Sequence, residues 1–366
     1  MTSLEELGGP VPQWWVYRGR WKDGDGPGCA TQQFPEPPPW RRFGLDGIVE
    51  PREEGEGPGP DDPKAPVPAP KADPEAPSWE DRIAVSYQGD RNAHDLVNAA
   101  IHLRRPLLVT GPPGVGKTTL AASVAKELNL GPVLRWGITS RSTLREGLYD
   151  YDVLGRLHDM NLKQRSGHWK RQESEREDIG RYIRLGPLGD ALLPRRLPRV
   201  LLIDEIDKSD VDLPNDLLHV FETGGYEIPE LRRIDRSPVH VLGSDGNDRV
   251  PVHQGRVRCA QFPVVILTSN GEREFPPAFR RRCLFLELER PSGERLHAIL
   301  RKHVPELTDL AQVQDVITRY ETLGSQGRQL SPDQLINAVR LRLNAQLGPQ
   351  DLATIERAVL HPLSGA

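Results

Sequence analysis

Cysteine is scarce in this chain, long apolar runs are missing and neither charge is in marked excess, and each lack closes off a class of protein. Three cysteines stand among 366 residues, Cys29, Cys259 and Cys283. Their number is odd and their spacing is not that of metal ligands, which argues against a disulfide scaffold or a cysteine zinc site and fits a reducing compartment. No segment reaches the roughly 18 consecutive apolar residues of a membrane-spanning helix. The opening Met1-Thr-Ser-Leu-Glu-Glu-Leu lacks the basic-then-apolar order of a secretion signal. A cytoplasmic protein with no membrane attachment is therefore expected. Lysine plus arginine total 48 against 52 aspartate plus glutamate, a formal net charge of −4, so the overall balance gives no reason to expect a nucleic-acid partner.

Hydrophobic residues make up 37% of the chain, but they are unevenly spread. The first 80 residues hold 16 of the 35 prolines, and residues 51–78 are almost wholly Pro, Gly, Ala and charge. Such a stretch cannot bury a core and reads as an extended, polyproline-rich, disordered linker. Ahead of it lie two aromatic islands, Trp14-Trp15-Val16-Tyr17-Arg18-Gly19-Arg20-Trp21 and Pro37-Pro38-Pro39-Trp40-Arg41-Arg42-Phe43. Disordered tails rarely carry so many tryptophans. The islands read as docking peptides for a partner or for the body of the protein, with a plain tail or a small local fold as the alternatives. Removing residues 1–78 is expected to leave the rest of the chain folded.

What the chain does have is a phosphate-binding loop. The apolar run Leu107-Leu108-Val109-Thr110 breaks into Gly111-Pro112-Pro113-Gly114-Val115-Gly116-Lys117-Thr118-Thr119 and then into a helical pattern through Leu128. Glycines at 111, 114 and 116 let successive backbone N–H groups turn toward an anion. The following helix adds its positive N-terminal end, and Lys117 reaches the terminal phosphates. Thr118 is placed to hold Mg2+. A second apolar run, Val200-Leu201-Leu202-Ile203, ends in Asp204-Glu205, as a buried parallel strand with acids at its C-terminal end. Asp204 suits the Mg2+ water shell, and Glu205, directed to the other face, suits a base for the attacking water.

A third run, Val264-Val265-Ile266-Leu267-Thr268-Ser269, ends in Asn270, an amide placed to orient that water. Beyond it Phe275-Pro276-Pro277-Ala278-Phe279-Arg280-Arg281-Arg282-Cys283 sets three arginines at a short helix end. A guanidinium supplied across a subunit interface stabilises charge on a transferring phosphoryl group and demands an oligomer. A solvated helix end offsetting the macrodipole is the competing reading for Arg280.

In this order, these motifs resemble an AAA+ ATPase, and the MoxR-like, dynein-related branch in particular. The branch is carried by Leu185-Gly-Pro-Leu-Gly-Asp-Ala-Leu-Leu193 before the Asp-Glu strand and by Asp216-Leu-Leu-His-Val-Phe-Glu-Thr-Gly-Gly225 after it. The resemblance covers roughly residues 80–366. It implies an α/β three-layer sandwich around a parallel sheet (81–290), a small all-α lid (291–366) and a disordered Pro-rich tail (1–80). It further implies ATP and Mg2+ as cofactors, with Lys117 and Thr118 on phosphate and metal, Asp204 on metal, Glu205 as the hydrolytic base and Asn270 as sensor of the γ-phosphate. Arg282, or else Arg281, matches the trans-acting arginine. One position departs from the family pattern: Asp333 aligns where a lid arginine usually stands, with Arg328 as a substitute or a plain surface residue.

Two insertions add to the core. Residues 137–184, with Trp169, resemble the insert that faces the ring pore in MoxR-like proteins, although a solvated excursion reads the charges equally. Val239–His253 reads as a β-hairpin around Ser-Asp-Gly-Asn-Asp. From Pro291 the pattern turns helical, over 294–303, 309–323, 331–347 with Ser331 as N-cap, and 350–360. The expected function is Mg2+-dependent ATP hydrolysis by a hexameric ring that remodels or activates a protein client, with a von Willebrand A domain protein as the implied partner. A DNA-acting motor and a nucleotide-gated scaffold with little turnover are the alternatives.

Overall fold

A computed structural model of the chain describes residues 11–19, 34–43, 84, 87, 89–165, 179–234, 237–246, 248–304, 306–307, 309–326, 330–343 and 358–361. The expected linker at 51–78, Trp21, Cys29, Trp169 and Arg328 lie outside these. Asp90 caps α1 (Arg91–Leu103) by accepting from the Ala93 amide at 2.7 Å. There follow β1 (Leu107–Thr110), α2 (Lys117–Glu127) and β2 (Leu134–Gly137). The first insertion holds α3 (Leu144–Leu148), opened by a Thr143/Glu146 capping box, then β3 (Tyr149–Tyr151), α4 (Val153–Arg165) and β4 (Ile183–Leu185), with α5 (Pro187–Ala191) just past it. Next come β5 (Val200–Asp204), α6 (Leu213–Thr223), β6 (Gly225–Glu227), α7 (Pro229–Arg232), β7 (Val239–Leu242), β8 (Arg249–Val252) and β9 (Arg256–Arg258). The chain continues through β10 (Val264–Ser269), α8 (Pro277–Arg282) and β11 (Leu284–Glu287) into α9 (Gly293–His303), α10 (Gln314–Ser325) and α11 (Pro332–Arg342).

The apolar runs form one five-stranded sheet in the order β11-β1-β10-β5-β2, parallel throughout. Alternate side chains divide between two cores. Val200 and Leu202 join the core beneath α1 and α2, while Leu201 and Ile203 join the larger core on the opposite face. Burial on both faces is why these strands read as continuous apolar runs rather than as alternating ones. A third apolar cluster, with Leu300, Ile317, Leu335 and Val339, binds the C-terminal helices together. The α/β fold with a helical C-terminal region is thus the one expected. Ser331 caps α11 in a capping box with Gln334, while the helix expected over 350–360 lies almost wholly outside the described residues.

The two insertions are not separate. The hairpin β7–β8 forms as expected, and β4 of the first insertion pairs with β7, so that β3-β4-β7-β8 make one four-stranded sheet. Hydrogen bonds to a buried carboxylate just past the first insertion hold the hairpin further. Asp190 on α5 accepts from Arg195 at 2.7 Å and from the Ser244 amide and hydroxyl at 3.0 Å each.

Of the two docking sites expected for the aromatic islands, a partner or the body of the protein, the structure shows the second: both pack on the body of this same chain. The Asn98 side chain of α1 accepts from the Val16 and Tyr17 amides at 2.6 and 2.9 Å and donates to the Tyr17 carbonyl at 2.7 Å. Trp15 donates to Asp95, Tyr17 meets the Ser123 hydroxyl at 2.9 Å, and both rings stack with buried His94. Just ahead of the second island, Arg104 donates to the Pro35 carbonyl at 2.6 Å and lies over the Phe34 ring. Phe43 is buried against Phe262 and over Gly224, where a Cβ would come within 2.6 Å of its ring. Among the described aromatic residues of the islands, only Trp14 and Trp40 keep large exposed faces. Local composition hid this, since the burial partners lie 69 or more residues away.

The expectation that removing residues 1–78 leaves the rest of the chain folded is therefore revised. Phe43→Ala should cost about 3–5 kcal/mol of unfolding free energy through transfer and cavity terms, and Tyr17→Phe about 1 kcal/mol through the lost hydroxyl contact. Urea unfolding of the full chain measures both, and changes near zero would mean that the islands leave the body in solution.

Candidate functional site

The ends of β1, β5 and β10 lie side by side on the sheet, and the loop after β1 closes over them. Gly111, Gly114 and Gly116 all take positive φ, 146°, 75° and 100°. At Gly111 a Cβ would collide with the Leu288 carbonyl oxygen, so the tight turn out of β1 admits only glycine. Lys117 opens α2 and folds back along the loop, donating to the Gly111 carbonyl at 2.6 Å, the Pro112 carbonyl at 3.0 Å and the Asn270 Oδ1 at 2.8 Å. Burial lowers the pKa of its ammonium, against the opposing pull of Asp207, Asp204 and Glu205. Pro113 lies in the loop, Val115 anchors it in the core beneath α1 and α2, and Thr119 sits beside Thr118 in the first turn of α2.

Asp204 ends β5 almost fully buried. Its Oδ1 accepts from Thr268 at 2.7 Å and faces the Thr118 hydroxyl at 3.4 Å, and its Oδ2 accepts from Arg135 at 2.7 Å. Glu205 follows in the left-handed region at φ 61°, a conformation costly for a non-glycine residue. That turn takes its side chain off the strand, where it is 44% exposed and paired with Lys208 at 2.8 Å. The backbone N–H of Glu205 donates to Thr268 at 2.9 Å, so one hydroxyl of β10 braces both acids of β5. The Thr118 hydroxyl and Asp204 carboxylate are hard oxygen donors of the kind Mg2+ takes and fit that ion.

Arg282 and Arg281 stand apart from this group. Arg282 pairs with Glu222 of α6 and donates to the Ala278 carbonyl at 3.2 Å, while Arg105 donates to the carbonyls of both Arg281 and Arg282. Arg280 lies over the Phe285 ring at 5.5 Å.

Sequence reasoning missed three participants. Asp207, buried, accepts from the Asn270 amide at 2.9 Å and the Glu272 amide at 3.3 Å, and so fixes the turn that presents Asn270. Its place three residues after Asp204 was the available signal. Thr268 and Arg135 sit inside strands, where nothing local marks a polar partner. The lid also reaches the loop: a Cβ on Gly114 would lie 2.7 Å from Ser331 Cβ and 3.4 Å from Asp333 Oδ2. The residue that departs from the family pattern therefore faces the phosphate loop.

The loop, the acids and the lid define a P-loop nucleotide-binding protein of the α/β class. More narrowly, the chain belongs to the AAA family, the ATPases associated with various cellular activities, whose model matches residues 107–289, half of its length. Members of that family use ATP, normally with Mg2+. Among solved structures it is similar to the Thermotoga maritima RuvB Holliday junction branch migration motor, at 19% identity over 72% of this chain and 66% of that one, with a TM-score of 0.37. The chain thus spans just under two thirds of that protein, and a likeness this loose carries no functional argument. A search of curated proteins finds no match.

Burial raises the Asp333 carboxyl above its ordinary value of 3.8, opposed by His303. A raised acid contributes stability that is complete below its unfolded pKa and is lost as pH rises through the folded value. Asp333→Asn should therefore raise the melting temperature at neutral pH. The gain should shrink to nothing as pH falls toward 3.8. Thermal unfolding across that range measures it, and a gain independent of pH would contradict the assignment.

Proposed function

We propose that this chain is a Mg2+-dependent ATP hydrolase of the ring-forming, MoxR-like kind, which spends turnover on remodelling or activating a partner protein. The observation that carries this reading is the convergence of Lys117, Thr118, Asp204, Glu205 and Asn270 on one loop from the start of α2 and the ends of β5 and β10. The loop amides and Lys117 bind the phosphates. Thr118 and Asp204 hold the metal, which when bound neutralises charge on the β- and γ-oxygens. Asn270 orients a water, and Glu205 accepts its proton as the water oxygen bonds to the γ-phosphorus and ADP leaves. Lys208 holds Glu205 at rest and must release it for this step.

Arg282, with Arg281 second, acts on the nucleotide of a neighbouring subunit. In support, both sit at the exposed end of α8, with contacts to Glu222, Ala278 and Arg105 rather than to the chain's own loop. A ring of subunits is the assembly that a trans-acting arginine requires, and we take it as hexameric and cytoplasmic. The MoxR-like reading is supported by the motifs around residues 185–193 and 216–225, and by the two insertions that merge into one sheet beside the core. A protein client, with a von Willebrand A domain partner foremost, is the occupant we assign to that side.

Lys117→Ala should weaken ATP binding by about tenfold to 100-fold, whereas Glu205→Gln should bind ATP normally and lose turnover by about 10²–10⁴-fold. Arg282→Ala should bind ATP yet fail to hydrolyse it, and mixing it with Lys117→Ala should restore part of the activity through hybrid interfaces. Nucleotide titration and phosphate release read all three. Normal affinity in the Lys117 variant would remove the loop from the site, and full turnover in the double arginine variant would remove the trans mechanism.

A further inference from the structure

Arg135 occupies an unusual place for a cation. Its strand, β2, is the edge of the five-stranded sheet, and Arg135 lies in register with Leu202 of β5 while Gly137 lies opposite Asp204. Neighbours in register share a face. Arg135 therefore projects on the side of Leu202 and Asp204, the face of the sheet that α2 covers. Its guanidinium ends 2.7 Å from Asp204 Oδ2, with the arginine side chain 49% exposed and the carboxylate 11%.

The surrounding charges explain why it goes there. Three carboxylates crowd the end of β5. Asp207 is held by the amides of Asn270 and Glu272, and Glu205 is paired with Lys208. Asp204 gives Oδ1 to the hydroxyls of Thr268 and Thr118, leaving Oδ2 to the guanidinium. Arginine does not deprotonate in proteins, so this charge is permanent at any working pH. A cation in contact with a metal-holding carboxylate opposes entry of a second cation.

We propose that Arg135 is a built-in counter-cation: it neutralises Asp204 while no divalent ion is bound, lowers the site's affinity for Mg2+ and speeds the loss of ADP with its metal. This rests on the reading of the loop as a Mg2+-nucleotide site. A residue that merely positions Asp204 has the opposite effect, because its removal weakens the metal.

Binding of a fluorescent ADP analogue to the full chain, titrated with Mg2+ from an EDTA baseline, separates the two. In Arg135→Gln the Mg2+ concentration for half-maximal tightening should fall by about tenfold, and ADP dissociation in Mg2+ should slow by a similar factor. Without Mg2+ the same variant should bind ADP several-fold more weakly, since bare Asp204 then repels the phosphates. Arg135→Lys, which keeps the charge, should stay near wild type. In an Asp204→Asn background Arg135→Gln should change nothing further. Arg135→Met carries the same test should the glutamine variant unfold. An unchanged or raised Mg2+ requirement, or a tenfold effect that persists without Asp204, overturns the proposal. Failure of the wild type to bind ADP at all would instead overturn the nucleotide reading, and this inference with it.

Discussion

A parallel sheet covered on both faces has only its strand ends left for polar chemistry. In this chain that constraint organises everything else. Val200 to Ile203 and Val264 to Leu267 are buried among two apolar cores, so the first polar side chains they can present are Asp204, Thr268 and Asn270 at their C-terminal ends. Register then brings these together, with β10 between β1 and β5 and the loop of β1 folded over the top. The site is the place where the sheet runs out.

The same economy governs the charges. Lys117 is buried with an amide and two carbonyls for company, and Asp204 is buried with two hydroxyls and a guanidinium. Buried charges persist only when paired or hydrogen-bonded, and these pairings also hold each group in place. Glu205 escapes the pattern through its left-handed backbone, which sets the proposed base at the solvent side of the site. The first N-terminal island does for α1 and α2 what a further helix does in other folds. Tyr17 and Trp15 cover the outer face of α1, and Tyr17 reaches Ser123 on the very helix that begins with Lys117.

Much of this was legible in the sequence, for a physical reason. Glycines at 111, 114 and 116 are demanded by positive φ, and continuous apolar runs are demanded by double-sided burial, so both leave local marks. Ser331 and Pro332 likewise announce α11. What was hidden depends on distant pairs. The register of Arg135 with Leu202, the bond from Thr268 to Asp204 and the contact of Asp333 with Gly114 join residues far apart in the chain, and no local pattern records them. The docking site of the islands was left open on the same ground: their own stretch lacks a core, and Trp15, Tyr17 and Phe43 borrow one from distant residues.

The central claim is that this site hydrolyses ATP and is completed by an arginine from a second copy. The most direct measurement is phosphate release per subunit from the purified full chain across a wide range of protein concentration, with Mg2+ and saturating ATP. The account predicts turnover that is negligible when dilute and rises to a plateau as copies assemble. Turnover independent of concentration down to a monomeric preparation, or none at any concentration, would contradict it.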